Sequence, residues 1–396
     1  MKKITYIDDV KISNKRILLR VDYNVALSED SKAITEDERI TQTLPTLKFL
    51  LKEKNKLIVI SHLGRPKGRE PHLSLKLVAE RLQEMLTGYS VKLIDDFLTE
   101  PKETFENQKD NEILMLENLR FYEGEKTNDR KFSQTLADLG DVYVNDAFAV
   151  SHRAEASLVA LPALLPCYGG LLMKKEVIAI DQAVKNPKRP LVAIIGGAKI
   201  STKITLISTL IEKADYVILG GGLANPFFRA QRFSIGKSIC EYEMVSKARQ
   251  LLFLAAQKNT SIILPVDAFI GDPTNKTTPG KLYMIGSKIP ADAAILDIGP
   301  ETKKKFGEIL KNARTIIWNG PIGLFENPMY KEGTDFIYEE MVKNSKATSV
   351  VGGGDTLAAI SNKRNLDKIT HISTGGGAML EFIEQGTLPG IEALKR

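Results

Sequence analysis

Three Gly-Gly-Gly triplets stand at 220–222, 352–354 and 375–377, with a further pair at Gly196-Gly197, and each follows a short apolar run. Glycine lets backbone N–H groups come close to phosphate oxygens, and a helix starting after such a turn favours negative charge. A single triplet serves equally well as a plain chain turn; recurrence at successive strand ends argues for a phosphate cradle. Lys199 and Lys203 follow the glycine pair at a four-residue spacing, so a helix beginning there would carry both ammonium groups on one face near its positive end. Asp355, directly after the triplet 352–354, suits Mg²⁺ carried by a nucleotide, because that ion takes few carboxylates together with phosphate oxygens; its other reading is a helix N-cap.

The common nucleotide fingerprints are absent. Gly236-Lys237-Ser238 imitates the end of a P-loop, but Gln231 stands where that motif needs glycine. No triplet continues as G-x-G-x-x-G, since positions 225, 357 and 380 are Asn, Leu and Leu. A nicotinamide-dependent dehydrogenase shares a two-domain α/β outline but has no support from its own motif.

In the first half of the chain, Arg39, His62, Arg65, Arg120, His152 and Arg153 are expected at or beyond strand ends. Singly, each reads as a surface charge or a satisfied histidine. Converging on one cleft they would bind a multiply anionic ligand, with arginine forks matching phosphate and carboxylate oxygens. Asp22 and Asn24 would then hydrogen-bond a substrate hydroxyl. The four histidines and two cysteines show no metal-ligand spacing.

The elements that must position these residues are read from recurring apolar runs. In the first half they are 16–24, 56–64, 91–97, 112–120 and 141–148; in the second, 190–197, 216–222, 261–269, 315–321, 349–354 and 371–377. Runs that are apolar throughout suit strands buried on both faces, as in parallel sheets. Segments with helical spacing, such as 73–86, complete β-α repeats. The segment 174–186 is expected to be a helix stopping at Asn186-Pro187, near the boundary between domains. Open α/β sheets bind ligands beyond the carboxyl ends of their strands, where the polar and glycine residues lie.

A chain of 396 residues exceeds one ordinary core. Its formal charge of +6 is modest and comes without basic runs, which excludes a nucleic-acid-binding tail and leaves room for a cleft for small anions. Two distant cysteines, Cys167 and Cys240, point to a reducing, cytoplasmic setting, and the opening residues lack a secretory pattern. The uncharged stretch 156–173 is interrupted by Pro162, Pro166, Gly169 and Gly170, so a buried connection between domains is expected there rather than a membrane span.

Taken in order, RVDYNVA (20–26), SHLGRP (61–66), LENLRFYEGE (116–125), NDAFAVSHRAEAS (145–157), GGAKISTKI (196–204), GGGLA (220–224), WNGPIGLFE (318–326), GGGDT (352–356) and STGGGAMLE (373–381) resemble the phosphoglycerate kinases from end to end. The resemblance implies two Rossmann-like α/β domains with parallel sheets flanked by helices and joined by a hinge, for which 156–190 is the candidate. It places a phosphoglycerate-binding domain at 1–171, joined by 380–396, and a nucleotide-binding domain at 172–379. By motif position, Asp22, Asn24, Arg39, His62, Arg65, Arg120 and Arg153 form the substrate set for 3-phosphoglycerate or 1,3-bisphosphoglycerate. Lys199, Lys203, Gly220, Gly221, Glu326, Gly353, Gly354, Asp355 and Thr356 form the ADP/ATP set, with Mg²⁺ reaching Asp355 on the nucleotide. Arg39, Lys199, Gly353 and Gly376 are the catalytic set, and a monomer with neither nucleic-acid nor membrane partner is expected. A catalytically silent binding protein of the same descent is the alternative. The sequence departs from the usual pattern at Ala26, Ala149, Glu155 and Asn225-Pro226; Glu155 makes the basic patch less positive.

Overall fold

The apolar runs have no polar alternation because the strands they form are covered on both faces. In the strand Arg16–Arg20, Ile17 and Leu19 join Leu57, Val59, Val142 and Val144 on one side. Leu18 joins Ile58, Ile60, Leu114 and Tyr143 on the other. This computed structural model describes residues 3–278, 280–361 and 363–395. They fold as two compact units, one running to Ile178 and resuming at Thr387, the other spanning Ala179–Gly386. The helix Leu171–Val184 contains the first boundary, and the helix Gly377–Gln385 belongs wholly to the second unit.

The first unit holds a six-stranded sheet in the order Ser90–Ile94, Glu112–Leu116, Lys56–Ile60, Arg16–Arg20, Val142–Asn145 and Cys167–Gly169. Every pairing is parallel. The second unit repeats the plan with Ser261–Ile263, Tyr216–Leu219, Leu191–Ile195, Thr315–Asn319, Thr348–Gly352 and His371–Ile372, again all parallel. Helices connect the strands in both, so the fold class expected from the sequence is borne out. Strand order reverses between Arg16–Arg20 and Val142–Asn145 in one sheet, and between Leu191–Ile195 and Thr315–Asn319 in the other. Such reversal points open a crevice beyond the carboxyl strand ends, and both units carry their candidate residues there.

Three expectations need correction. The stretch 156–173 is no connection between domains: it is largely buried in the first unit and supplies that sheet's edge strand, Cys167–Gly169. The run 261–269 is not one strand. Pro265 has no N–H to give a ladder, so the parallel edge strand ends at Ile263. The chain then enters a separate antiparallel sheet with Asp267–Gly271 between Lys281–Met284 and Ala294–Ile298. There the Asp267 carboxylate accepts from the backbone of Glu301 (3.0 Å) and Thr302 (2.8 Å), capping the helix Pro300–Asn312. Finally, Arg39 does not end a strand; it lies in the short helix Glu38–Thr41, after a hairpin of Ala26–Leu27 and Ile34–Glu36.

Trp318 is the single tryptophan and is fully buried in the second unit's core beside Ile194, Phe306 and Val351. Its indole N–H donates to Gly320 O at 2.8 Å, tying the core to the turn that carries the site. Trp318→Ala is therefore expected to cost about 3–5 kcal/mol, measured by urea unfolding followed by circular dichroism. A loss under about 1 kcal/mol would show that the indole does not anchor this turn.

Candidate functional site

In the first unit the site is assembled around Arg20, a fully buried arginine at the end of the central strand. Its Nε donates to Ser157 Oγ at 2.8 Å and Nη1 to Val21 O at 2.5 Å. Nη2 meets His62 Nδ1 at 3.4 Å, so that ring nitrogen is the acceptor, since a guanidinium has only donors. Nη2 also lies 3.9 Å from both Glu125 and Glu155. Glu125 is buried and accepts from the Ser157 hydroxyl (2.6 Å) and backbone (2.9 Å); burial pushes its carboxyl pKa up, against the pull of Arg20.

His62 is buried, and its pKa lies well below the ordinary imidazole range. Desolvation is the main cause, followed by the positive charges of Arg20, Arg120, Arg39 and Arg153. The ring is therefore neutral at neutral pH, and three of the arginines that keep it so, Arg39, Arg120 and Arg153, are among those expected to gather. Asp22 pairs with Arg39 and sits 3.8 Å from His62 Nδ1. Asn24 accepts from Gly64 N at 2.7 Å, fixing the loop that carries Arg65.

Arg65, Arg120 and Arg153 line an open basin of about 520 Å³ together with Pro66, Lys126, Ala154 and Glu155. The Arg120 fork is occupied: Nε and Nη2 donate to one Glu155 oxygen at 3.2 and 2.7 Å, and Nη1 donates to Gly64 O at 2.9 Å. Lys126 donates to Pro66 O at 3.0 Å. Arg65 is exposed and Arg153 half-buried. The structure thus brings all seven substrate-set residues to one end of one sheet, in a setting that suits a ligand with several negative charges.

In the second unit the strand-end turns approach each other through bare backbone. Gly196 N donates to Asn319 O and Gly197 N to Pro321 O, both at 2.9 Å; a Cβ on Gly196 would lie 2.0 Å from Pro321 O. Only glycine fits there. Lys203 reaches into this junction, donating to Gly196 O (2.8 Å) and Asn319 Oδ1 (2.5 Å). Burial pushes its pKa down to about 8, with the Asp355 charge acting in the opposite direction. Asn319 in turn donates to Gly352 O at 2.7 Å, and Thr356 Oγ1 accepts from Gly320 N at 2.6 Å. Gly220 N donates to Ile195 O and Gly221 N to Ile322 O. These bonds join Lys203, Gly220, Gly221, Thr356 and the Gly353 turn into one surface.

The local structure differs from expectation at two points. Lys199 and Lys203 share no helix, because the chain makes a turn at 201–203 and the helix Ile204–Ile211 begins only afterwards. Lys199 is exposed, with Glu241 as its charged neighbour, rather than stacked beside Lys203. Asp355 is no N-cap: Gly353 takes that position with φ 107°, and Asp355 is exposed in the first turn of Gly354–Ile360. Glu326 is exposed in a turn, and Gly376 precedes the helix Gly377–Gln385. Sequence reasoning did not single out Arg20, Glu125, Lys126 or Asn319 as site residues, although Arg20, Glu125 and Asn319 stand inside the motifs 20–26, 116–125 and 318–326. A further trace of Arg20 is a charge closing the strand Arg16–Arg20 after three apolar residues.

Among the described residues no cluster of three His, Cys, Asp or Glu could hold a metal ion unaided. An exposed Asp355 beside the open backbone of Gly354, where a Cβ would meet nothing within 4 Å, fits an ion that arrives with phosphate oxygens of its own. No helix among the described residues is long and apolar enough to cross a membrane.

The family model of phosphoglycerate kinase matches residues 7–386. The phosphoglycerate kinase of Dictyoglomus turgidum is 44% identical over 398 residues, covering 100% of both chains. That of Koribacter versatilis is 45% identical over 402 residues, covering 100% of this chain and 99% of its own. Among solved structures, phosphoglycerate kinase from Coxiella burnetii superposes with a TM-score of 0.89 at 39% identity, covering 99% of this chain and 98% of that one. The enzyme from Pyrococcus horikoshii gives 0.83 at 32% identity with the same coverage. Matched over nearly its whole length by a family model and by full-length relatives, the chain belongs to the phosphoglycerate kinase family.

Proposed function

We propose that this chain catalyses the reversible transfer of a phosphoryl group between 1,3-bisphosphoglycerate and ADP, giving 3-phosphoglycerate and ATP, as a phosphotransferase with a carboxyl acceptor. The observation that carries the reading is the gathering of Arg39, Arg120 and Arg153 around a neutral, buried His62. That arrangement offers a phosphorylated acid several positive charges and no competing proton. Asp22 and Asn24, at the same strand end, are assigned to its hydroxyl group, and Arg65 to the anion at the basin.

The nucleotide is assigned to the second unit, with its phosphates at Lys203, Gly353, Gly354 and Thr356 and its remainder near Gly220, Gly221 and Glu326. Asp355 would hold Mg²⁺, which neutralises phosphate charge when bound there. Lys199 and Gly376 are assigned to the transferred group together with Arg39. A carboxylate nucleophile with an ordinary pKa near ~4 is already ionised at neutral pH, so the chain needs no general base. What it must supply is alignment and charge stabilisation, which is where phosphoryl-transfer catalysis comes from. Because the two ligands are assigned to different units, closure of the units is proposed to precede in-line transfer. A cytoplasmic monomer is the proposed state.

The reading is tested by ADP formation from MgATP with and without 3-phosphoglycerate, the acyl phosphate being removed by a coupled dehydrogenase and NADH. Turnover requiring both substrates and lost with EDTA is expected; folded protein that binds both ligands without turnover would overturn it. Arg39→Ala is expected to lower kcat by about 10²–10³-fold, the effect of removing one preorganised charged donor. A raised KM with unchanged kcat would instead assign Arg39 to ground-state binding.

Lys203 yields a pH signature. With its pKa near 8 before binding, it is partly neutral in mildly alkaline solution. Nucleotide phosphates favour its ammonium form, so binding should take up a proton, and affinity for MgADP should fall as pH rises through the region of Lys203 titration. Calorimetry in buffers of different ionisation enthalpy measures the uptake. A dissociation constant that stays flat across that region would remove Lys203 from the phosphate contacts.

A further inference from the structure

Glu155 has no evident place in a site built to attract anions. It lines the basin, is buried, and turns one carboxylate oxygen toward Arg120 Nε and Nη2 at 3.2 and 2.7 Å. Its other oxygen is buried without a hydrogen-bond donor among the described residues and lies 3.9 Å from Arg20 Nη2. A carboxylate kept only for stability would be expected to fill both oxygens, because a buried unmet acceptor is costly. Arg20 does not depend on it, having Ser157, Val21 O and Glu125 as partners. The third arm of Arg120 is taken by Gly64 O. Each nitrogen of the Arg120 guanidinium is therefore engaged within the protein, with one N–H left on each Nη.

Resting on the phosphoglycerate reading above, we infer that Glu155 is a positioning residue, which holds Arg120 as a strut between the Gly64 and Glu155 segments and lowers the affinity of the basin for its anionic ligand. Arg120 contributes its field while its Nε–Nη2 edge stays on Glu155, and direct anion contacts fall mainly to the more accessible Arg65 and Arg153. Glu155 also places a negative charge at the basin wall, opposing a ligand phosphate. The pair sets how tightly product and substrate are held, favouring release over retention.

The test is Glu155→Gln, with the dissociation constant of 3-phosphoglycerate measured by calorimetry across ionic strength. Removing one negative charge a few ångströms from a phosphate should tighten binding by about five- to twentyfold at low salt, with the gain shrinking as added salt screens it. In steady state KM for 3-phosphoglycerate should fall while kcat does not rise. A merely structural role would lower the melting temperature and leave or weaken the affinity, and that result overturns the inference. Glu155→His provides a second variant that also removes the carboxylate; tightening there supports the inference if the glutamine variant fails to fold, and unchanged or weaker binding overturns it. Wild-type protein that fails to bind 3-phosphoglycerate would sink the functional reading itself, a result distinct from wild-type binding that neither variant tightens.

Discussion

Arg20 cannot shed its proton, and it is fully buried, so the first unit must be built around a charge that water does not reach. Each arm needs an acceptor; Val21 O is local, whereas Ser157, Glu125 and the neutral ring of His62 come from segments far apart in sequence. A buried ion network of this kind contributes little to net stability, because desolvation offsets most of the attraction. Its effect is on geometry and field. The network fixes the ends of three neighbouring strands relative to one another and holds the imidazole neutral among four arginines. The charge at the strand end thus removes the chemistry His62 would otherwise offer and leaves it as a hydrogen-bonding group.

The second unit meets a similar need with fewer fixed charges. Its strand-end turns are packed through Gly196, Gly320 and Gly353, where side chains would collide with carbonyl oxygens or with Asn319. What this close approach exposes is backbone dipole, which favours phosphate without the desolvation cost of buried arginines. Lys203 is drawn into the junction, and its depressed pKa reflects the cost of burying a cation there. The contrast follows from connectivity at the two reversal points: the turns after Leu191–Ile195 and Thr315–Asn319 bond to each other through backbone, whereas Arg16–Arg20 and Val142–Asn145 end in the buried polar side chains of Arg20 and Asn145.

The parallel strands were legible because burial on both faces removes polar alternation, a pattern that a sequence displays directly. Their ends were not, since the runs extend past the last ladder bond into the polar or glycine turns that follow; 56–64, for example, yields the strand Lys56–Ile60. The run 261–269 misleads because apolarity continues through Pro265 while hydrogen bonding cannot. The spacing of Lys199 and Lys203 misleads for a related reason: four residues imply a shared face only inside a helix, and the helix starts at Ile204, after both of them. The motif residues were found through family resemblance, which assigns positions but not partners. Glu155 could be marked from sequence as a departure that reduces positive charge; that it occupies two arms of Arg120 is a three-dimensional fact. Arg20 illustrates the limit most clearly, since its hydrogen-bond partner Ser157 is 137 residues away.

Across both units the site residues are notable for what they do not offer. The imidazole in the first unit is held neutral and already accepts from Arg20, and the lysine in the second is bonded to two acceptors. Neither arrangement places a free base beside an unoccupied proton path. For hydrolysis or for transfer to an alcohol that would be a deficiency, because water and hydroxyl nucleophiles need help losing a proton. For transfer to a carboxylate it is not, since the nucleophile arrives ionised and the barrier lies in bringing anions together. A site rich in guanidinium groups and backbone N–H groups, and poor in groups poised to exchange protons, is suited to that barrier. The same poverty of bases disfavours the side reaction with water, so the residues that draw the anions in also leave the acyl phosphate intact.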